Sequence, residues 1–218
     1  MKQFNGTDYD TLYPKTVYNQ VSGVAPAGYG LGETSPYIAK TSESGEYDAD
    51  TIDKTGFFAA TTNTPTGNWC YGLHVNRAND KAFQLLTSEF SEKEFALRKK
   101  ISGVWQPWEW VNPPMKLGVE YRTTERYQGK PVYVKLVDLG NCPSSGIKNV
   151  TVLGDTEVGF RCEGTWTFGG GSTLPFETTS SDRMAIAIIE KNVRIFTGGK
   201  DFSQYTAKAK IYYTKTTD

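Results

Sequence analysis

Side chains able to do chemistry are few, and their spacing excludes most reactions. The single histidine, His74, stands between Leu73 and Val75 in an extended-looking run. As a general base or metal ligand it would need partners, and metal sites draw on several convergent ligands. A satisfied structural or surface histidine is the weightier reading. Cys70 shares a strand face with it, but four residues of strand rise separate the two by about 13 Å, too far for a Cys–His pair. The three cysteines (Cys70, Cys142 and Cys162) are odd in number and widely spaced, without a CxxC pair, so neither a disulfide framework nor a zinc site is expected. There is no HExxH, Walker loop or GxSxG. The glycines of Gly28-Tyr29-Gly30-Leu31-Gly32 lack the strand–helix context of a nucleotide loop. Paired carboxylates for glycoside cleavage remain open on paper, with Asp8, Asp10, Glu120, Glu125, Asp155, Glu157 and Asp182 as candidates. Polar surroundings make solvated surface the ordinary explanation for most of them, since an acid catalyst needs an apolar setting. No catalytic residue, metal site or cofactor is expected.

The positive signal is aromatic. Trp105-Gln106-Pro107-Trp108-Glu109-Trp110 packs three tryptophans into six residues, as a ligand platform or, the heavier alternative, to close a core or a subunit interface. In Glu163-Gly164-Thr165-Trp166-Thr167-Phe168, Trp166 and Phe168 share a face just before a glycine run and a polar loop. That arrangement suits a shallow recognition site and equally an ordinary strand end. Ser181-Asp182-Arg183 is a polar loop ahead of a buried-type strand. Trp166 and Phe168 are therefore the candidate stacking surfaces for a carbohydrate, with Asp182 and Arg183 as polar partners if the fold gathers the loops.

The elements that carry these residues read as strands. The 218 residues hold 29 aromatics against 11 leucines, with 26 threonines and 32 glycines plus prolines. Aromatic and β-branched residues suit pleated surfaces, and a chain so poor in leucine offers little for long helices. The expected fold is all-β. Strands are expected over Thr55–Ala60, Trp69–Val75, Ala82–Thr87, Val132–Val137, Ala185–Ile189 and Val193–Phe196. Tyr205 to Tyr213 reads as a half-exposed antiparallel strand, with Tyr205, Ala207, Ala209, Ile211 and Tyr213 on one face. Ser91-Glu92-Lys93-Glu94 matches a helix capping box, yet Phe95-Ala96-Leu97-Arg98 alternates well enough for a strand entering a Ser102-Gly103 hairpin turn, and the strand is preferred. No regular element fits residues 22 to 36.

Asn112-Pro113-Pro114 is the clearest break, because consecutive prolines cannot donate to a ladder. It divides the chain into two small antiparallel β domains, 1–111 and 112–218. With 24 basic and 24 acidic residues the formal charge is zero, so neither nucleic acid nor an anionic membrane is an expected partner. No apolar run approaches a bilayer span. MKQFNGTDYD lacks the apolar stretch of a signal peptide, so export by a conventional signal is not expected.

Particular segments carry a resemblance. Asn5-Gly6-Thr7-Asp8-Tyr9-Asp10-Thr11-Leu12-Tyr13-Pro14-Lys15-Thr16 resembles a segment recurring in tail fibre and minor structural proteins of bacteriophages and prophages of Gram-positive bacteria. The region from Gly28-Tyr29-Gly30-Leu31-Gly32 is similar to the knob-like domain of phage tail fibres and pyocins. Gly56-Phe57-Phe58, Trp69–Val75, the strand near Arg98 and Trp105–Trp110 fit the same pattern. Gly118-Val119-Glu120-Tyr121-Arg122-Thr123-Thr124-Glu125-Arg126-Tyr127 and Gly129-Lys130-Pro131-Val132-Tyr133-Val134-Lys135 resemble the C-terminal β domain at the tips of such proteins. The likeness fades between Cys142 and Phe176.

The resemblance implies a knob-like domain over 1–111 and a β-sandwich-like receptor-binding tip over 112–218. It implies a non-enzymatic distal tail component, a homotrimer working with other tail or baseplate proteins. Such a component attaches the particle to a bacterial surface carbohydrate. A virion protein is made in the host cytoplasm and released by lysis. A tail-associated glycan depolymerase and a purely structural adaptor or spacer are the alternatives.

Overall fold

The computed structural model describes residues 2–4, 9–11, 37–38, 48–89, 94–167, 171–177 and 182–218. The 22–36 stretch and Phe168 lie outside them. The chain forms two compact units, Met1–Lys93 with Leu97–Pro107, and Glu94–Ala96 with Trp108–Asp218. Both are built from strands, mainly antiparallel, and the fold is all-β.

In the first unit β1 (Lys2–Phe4) pairs with β2 (Tyr9–Thr11). A sheet follows, made of β3 (Tyr37–Ile38), β4 (Gly56–Ala60), β5 (Cys70–Ala78), β6 (Lys81–Ser88) and β7 (Phe95–Ile101), adjacent in that order, with β8 (Val104–Trp105) paired to β7. The short β3–β4 pair is parallel, while β4–β5 and β5–β6 are antiparallel. The preferred strand reading of residues 95–98 holds. Ile101 pairs with Val104 across Ser102 and Gly103, both at positive φ (51° and 82°), the type I′ geometry whose twist matches the flanking strands. The apolar core is modest: Ile52, Phe58, Ala60, Cys70 and Leu86. Period two then places polar residues inward in the same phase, His74 after Cys70, and Gln84 before Leu86.

The second unit has two facing sheets. The larger runs β14 (Gly171–Leu174), β13 (Thr156–Thr167), β18 (Thr206–Lys215), β11 (Lys130–Asn141), β10 (Glu120–Tyr127), β9 (Glu109–Trp110). The smaller runs β12 (Gly146–Thr151), β17 (Asn192–Thr197), β16 (Arg183–Ile189), β15 (Phe176–Glu177). Residues 94–96 belong here because Phe95 is tied to the segment after β9: its carbonyl accepts from Val111 N (2.8 Å) and its N–H donates to Asn112 Oδ1 (2.7 Å). The β10–β11 hairpin turns on Gln128 and Gly129, again both at positive φ (51° and 83°). Between the sheets Val137, Leu139, Met184, Val193, Ile195, Phe202 and Ile211 form the core. Close approach of the sheets depends on glycine: a Cβ on Gly159 would stand 2.5 Å from Ile188 Cγ2, and one on Gly164 2.3 Å from Ile186 Cδ1.

The last strand departs from expectation. β18 is central, paired with both β11 and β13, and from Ile211 to Thr214 it is buried on both faces. Tyr212 is covered by Arg161, whose guanidinium lies 3.5 Å from its ring centroid and also pairs with Glu125 (3.0 Å). Half-exposure is confined to the stretch from Thr206 to Lys210.

Candidate functional site

Trp166 lies on β13, opposite Ala207 of β18 and Ser172 of β14. Half-buried, it packs edge-on against Tyr205 (4.5 Å between centroids) and Phe202 (6.1 Å). Lys200 sits 5.8 Å from the Phe202 ring and reaches Asp182 at 3.2 Å. Trp166 and Asp182 are thus joined through Phe202 and Lys200, none of which requires a ligand. Phe202 and Lys200 were not singled out in the sequence, and Tyr205 only as a strand residue, although Lys200-Asp201-Phe202-Ser203-Gln204-Tyr205 is a turn-like run bearing two aromatics.

Arg183 is exposed and opens β16, where its carbonyl accepts from Gly198 N (3.0 Å). It lines a groove of about 390 Å3 on the smaller sheet. Ile147, Pro175 and Phe196 supply apolar walls, and Thr197 a hydroxyl. Ile147 is 58 % exposed. Trp166 and Asp182 do not line this groove. An apolar bed with a cation and a hydroxyl is the chemistry that receives the faces and hydroxyls of a sugar.

Of the carboxylates considered for hydrolysis, Glu120, Glu125, Asp155, Glu157 and Asp182 are engaged otherwise. Glu120 accepts from the Tyr213 hydroxyl and pairs with Lys215; burial, then Glu120, pushes the Tyr213 phenol well above its ordinary range. Glu125 pairs with Arg161 and Glu157 with Lys130. Asp155 accepts from Thr216 (3.1 Å) and Thr217 (3.2 Å). Asp8 lies outside the described residues.

The first unit holds a buried polar network. Asp48 caps the short 3-10 turn Ala49–Thr51 by accepting from Asp50 N (2.8 Å), which aims the Ala49 carbonyl inward. Gln84 Nε2 donates to that carbonyl (2.7 Å), and Gln84 Oε1 accepts from Arg98 Nε (2.8 Å). A carbonyl can only accept and a guanidinium can only donate, so the amide has one orientation. Its second N–H then goes to His74 Nδ1 at 3.0 Å. Nδ1 must be the bare nitrogen, and the proton of the neutral ring is on Nε2. Burial lowers the imidazole from 6.5 to about 4; Asp53 opposes that shift, while Lys100 and Arg98 add to it. Arg98 pairs with Asp50 at 2.6 Å and lies 4.3 Å from the Trp105 ring centroid, and Trp105 Nε1 donates to Asp50 O (3.3 Å). His74 is buried with its Nδ1 engaged, but its Nε2 has no hydrogen-bond partner among the described residues, so it is not the satisfied histidine expected and forms part of a cavity wall. In the sequence Arg98 falls on one expected strand and Gln84 within another, and neither is marked as a site residue. Their only signal was a polar residue on the buried phase of a strand.

The tryptophan run divides. Trp105 roofs this network, whereas Trp110 is buried against Tyr121 (5.8 Å between centroids) in the second unit. Among the described residues no helix is long and apolar enough to cross a membrane, and no three of His, Cys, Asp and Glu gather as a metal site.

Fold and sites together define a two-unit, all-β protein with an open groove in one unit and a polar cavity in the other. No protein-family model and no curated protein matches the chain. Among solved structures it is similar to an N-truncated R2-type pyocin tail fibre, with 11 % identity and a TM-score of 0.28 over 77 % of this chain and 94 % of that one. It is also similar to the R1 pyocin fibre of P. aeruginosa comprising C-terminal residues 323–701, with 11 % identity and a TM-score of 0.27, covering 81 % and 66 %. Such scores are too low to argue a shared fold, so function is argued from the residues.

Proposed function

We propose that this chain is a receptor-binding tail protein of a bacteriophage or phage-derived particle. It attaches the particle to a bacterial surface carbohydrate without cleaving it. Residues 1–111 serve as the knob-like domain and 112–218 as the tip. The observation that carries the reading is the groove beside Arg183: open, half apolar and shallow, it suits recognition of a sugar face. The segments resembling tail fibre proteins, above all Gly118 to Lys135, support the particle context. Single-site affinity for a glycan at such a surface is low, and a homotrimer repeated on a particle supplies avidity through effective concentration.

An apolar row on the first unit supports the trimer. Phe57, Leu73 and Leu85 face each other across β4, β5 and β6, as do Val75 and Phe83. Phe57 and Val75 are exposed there, and identical neutral copies do not repel at long range. The test is binding of the labelled chain to a panel of Gram-positive cells before and after periodate oxidation of their surface glycans. Binding that periodate abolishes and Arg183→Ala weakens about tenfold is the expected result. Binding indifferent to both overturns the reading, and a fall in the viscosity of purified surface polysaccharide would establish the depolymerase in its place.

A further inference from the structure

The cavity beside His74 is a site in its own right, and it does not depend on the cell-attachment reading, whose groove belongs to the other unit. It measures about 220 Å3, room for roughly seven waters at liquid density, and hence for one small ring and not a chain of them. Asp50, Asp53, His74, Asn76 and Lys100 line it.

Beyond Asp50 Oδ1, which is ion-paired with Arg98 at 2.6 Å, two buried polar atoms of this lining have no hydrogen-bond partner among the described residues, His74 Nε2 and Asn76 Oδ1. Each has a definite role. With Nδ1 accepting from Gln84, the Nε2–H is a donor on a ring only 1 % exposed. Asn76 Nδ2 donates to the Asp53 carbonyl, which leaves Oδ1 as an acceptor. The cavity thus offers one N–H and one C=O, and a group that accepts from the first while donating to the second is a hydroxyl or a neighbouring pair of them. Charge points the same way. Asp50 is paired with Arg98, and the rest of the lining holds one carboxylate, Asp53, and one ammonium, Lys100. A phosphate would face two carboxylates, while a metal ion would face an N–H and an ammonium.

We propose that this cavity binds a single neutral polyhydroxyl ring, a sugar or cyclic polyol, held between the His74 Nε2–H and Asn76 Oδ1. Asp53, exposed at the rim, accepts from a further hydroxyl.

The test is titration of the full chain with glucose, N-acetylglucosamine and myo-inositol, followed through the 15N resonances of the His74 imidazole and the Asn76 and Gln84 amides. Sodium phosphate and calcium chloride serve as charged comparisons. Saturable shifts with at least one neutral probe in the millimolar range, weakened about tenfold by Asp53→Asn, are expected. His74→Phe should abolish them; if that buried variant does not fold, Asp53→Asn carries the test alone. Shifts with phosphate or calcium only, no shift with any neutral probe, or full affinity in Asp53→Asn would overturn the proposal. A sugar of the cell surface and a free one are told apart by whether Asp53→Asn weakens cell attachment. The shifts of the His74, Asn76 and Gln84 resonances persist in Arg183→Ala whatever that variant does to binding at the groove, which separates the two sites.

Discussion

His74 is the only histidine, so its protonation can be isolated as a difference between two proteins. Its folded pKa of about 4 lies below the unfolded 6.5, so between those values the unfolded chain binds the proton and the native one does not. Stability from the neutral ring is therefore complete above pH 6.5 and is lost as pH falls towards 4, by up to about 3 kcal/mol. Urea unfolding of the chain and of His74→Gln at pH 7 and pH 4.5 should show the parent losing more. Parallel losses would mean that the ring is hydrated in the native state. Arg98 is the more costly residue to remove. Arg98→Met leaves Gln84 Oε1 without its donor and Asp50 without its cation, and should destabilise by about 3 kcal/mol. Loss of under 1 kcal/mol would show that water replaces the guanidinium. Trp166→Ala is a poor probe of recognition, because it also removes packing against Phe202 and Tyr205.

At the scale of elements, the second unit depends on how closely its sheets meet. Ile188 is β-branched and stiff at χ1, and the obstructing atom is its Cγ2, so it cannot swing aside. Gly159→Ala should cost about 1–3 kcal/mol by overpacking. Adding Ile188→Ala should return part of that cost, seen as positive coupling in a double-mutant cycle of urea midpoints. Additive losses would place the strain in the backbone instead. The hairpin at Ser102-Gly103 was legible from its turn residues and the alternation around them. The burial of β18 was not, since Lys208 and Lys210 mark one face as wet. Nothing local indicates that Arg161 crosses from β13 to cover Tyr212.

For the whole molecule, light scattering behind size exclusion should give three times 24.2 kDa at all working concentrations. Val75→Asp, on the exposed apolar row of β5, should return the mass to 24.2 kDa with the strand content unchanged in circular dichroism. A monomeric parent would remove avidity from the attachment reading and raise the standing of the depolymerase. A trimer indifferent to Val75→Asp would move the interface elsewhere.

The class of fold follows from residue types, because aromatics, threonines and I′ turn residues act through contacts within a few positions of themselves. Strand positions and hairpin registers follow for the same reason: pleat and turn impose a period of two along the chain. Which polar residues meet is a different matter. His74, Gln84 and Arg98 come from three strands, and each looks alone like an inconvenient polar residue in a β run. Pairing of β5 with β6 and the inward turn of Asp48-Ala49-Asp50 give them common partners, and burial then selects one amide orientation and one imidazole tautomer. Arg183 became part of a groove, and Trp166 part of a core edge, by the stacking of one sheet on another. Those outcomes depend on long-range packing, to which single-strand periodicity is blind.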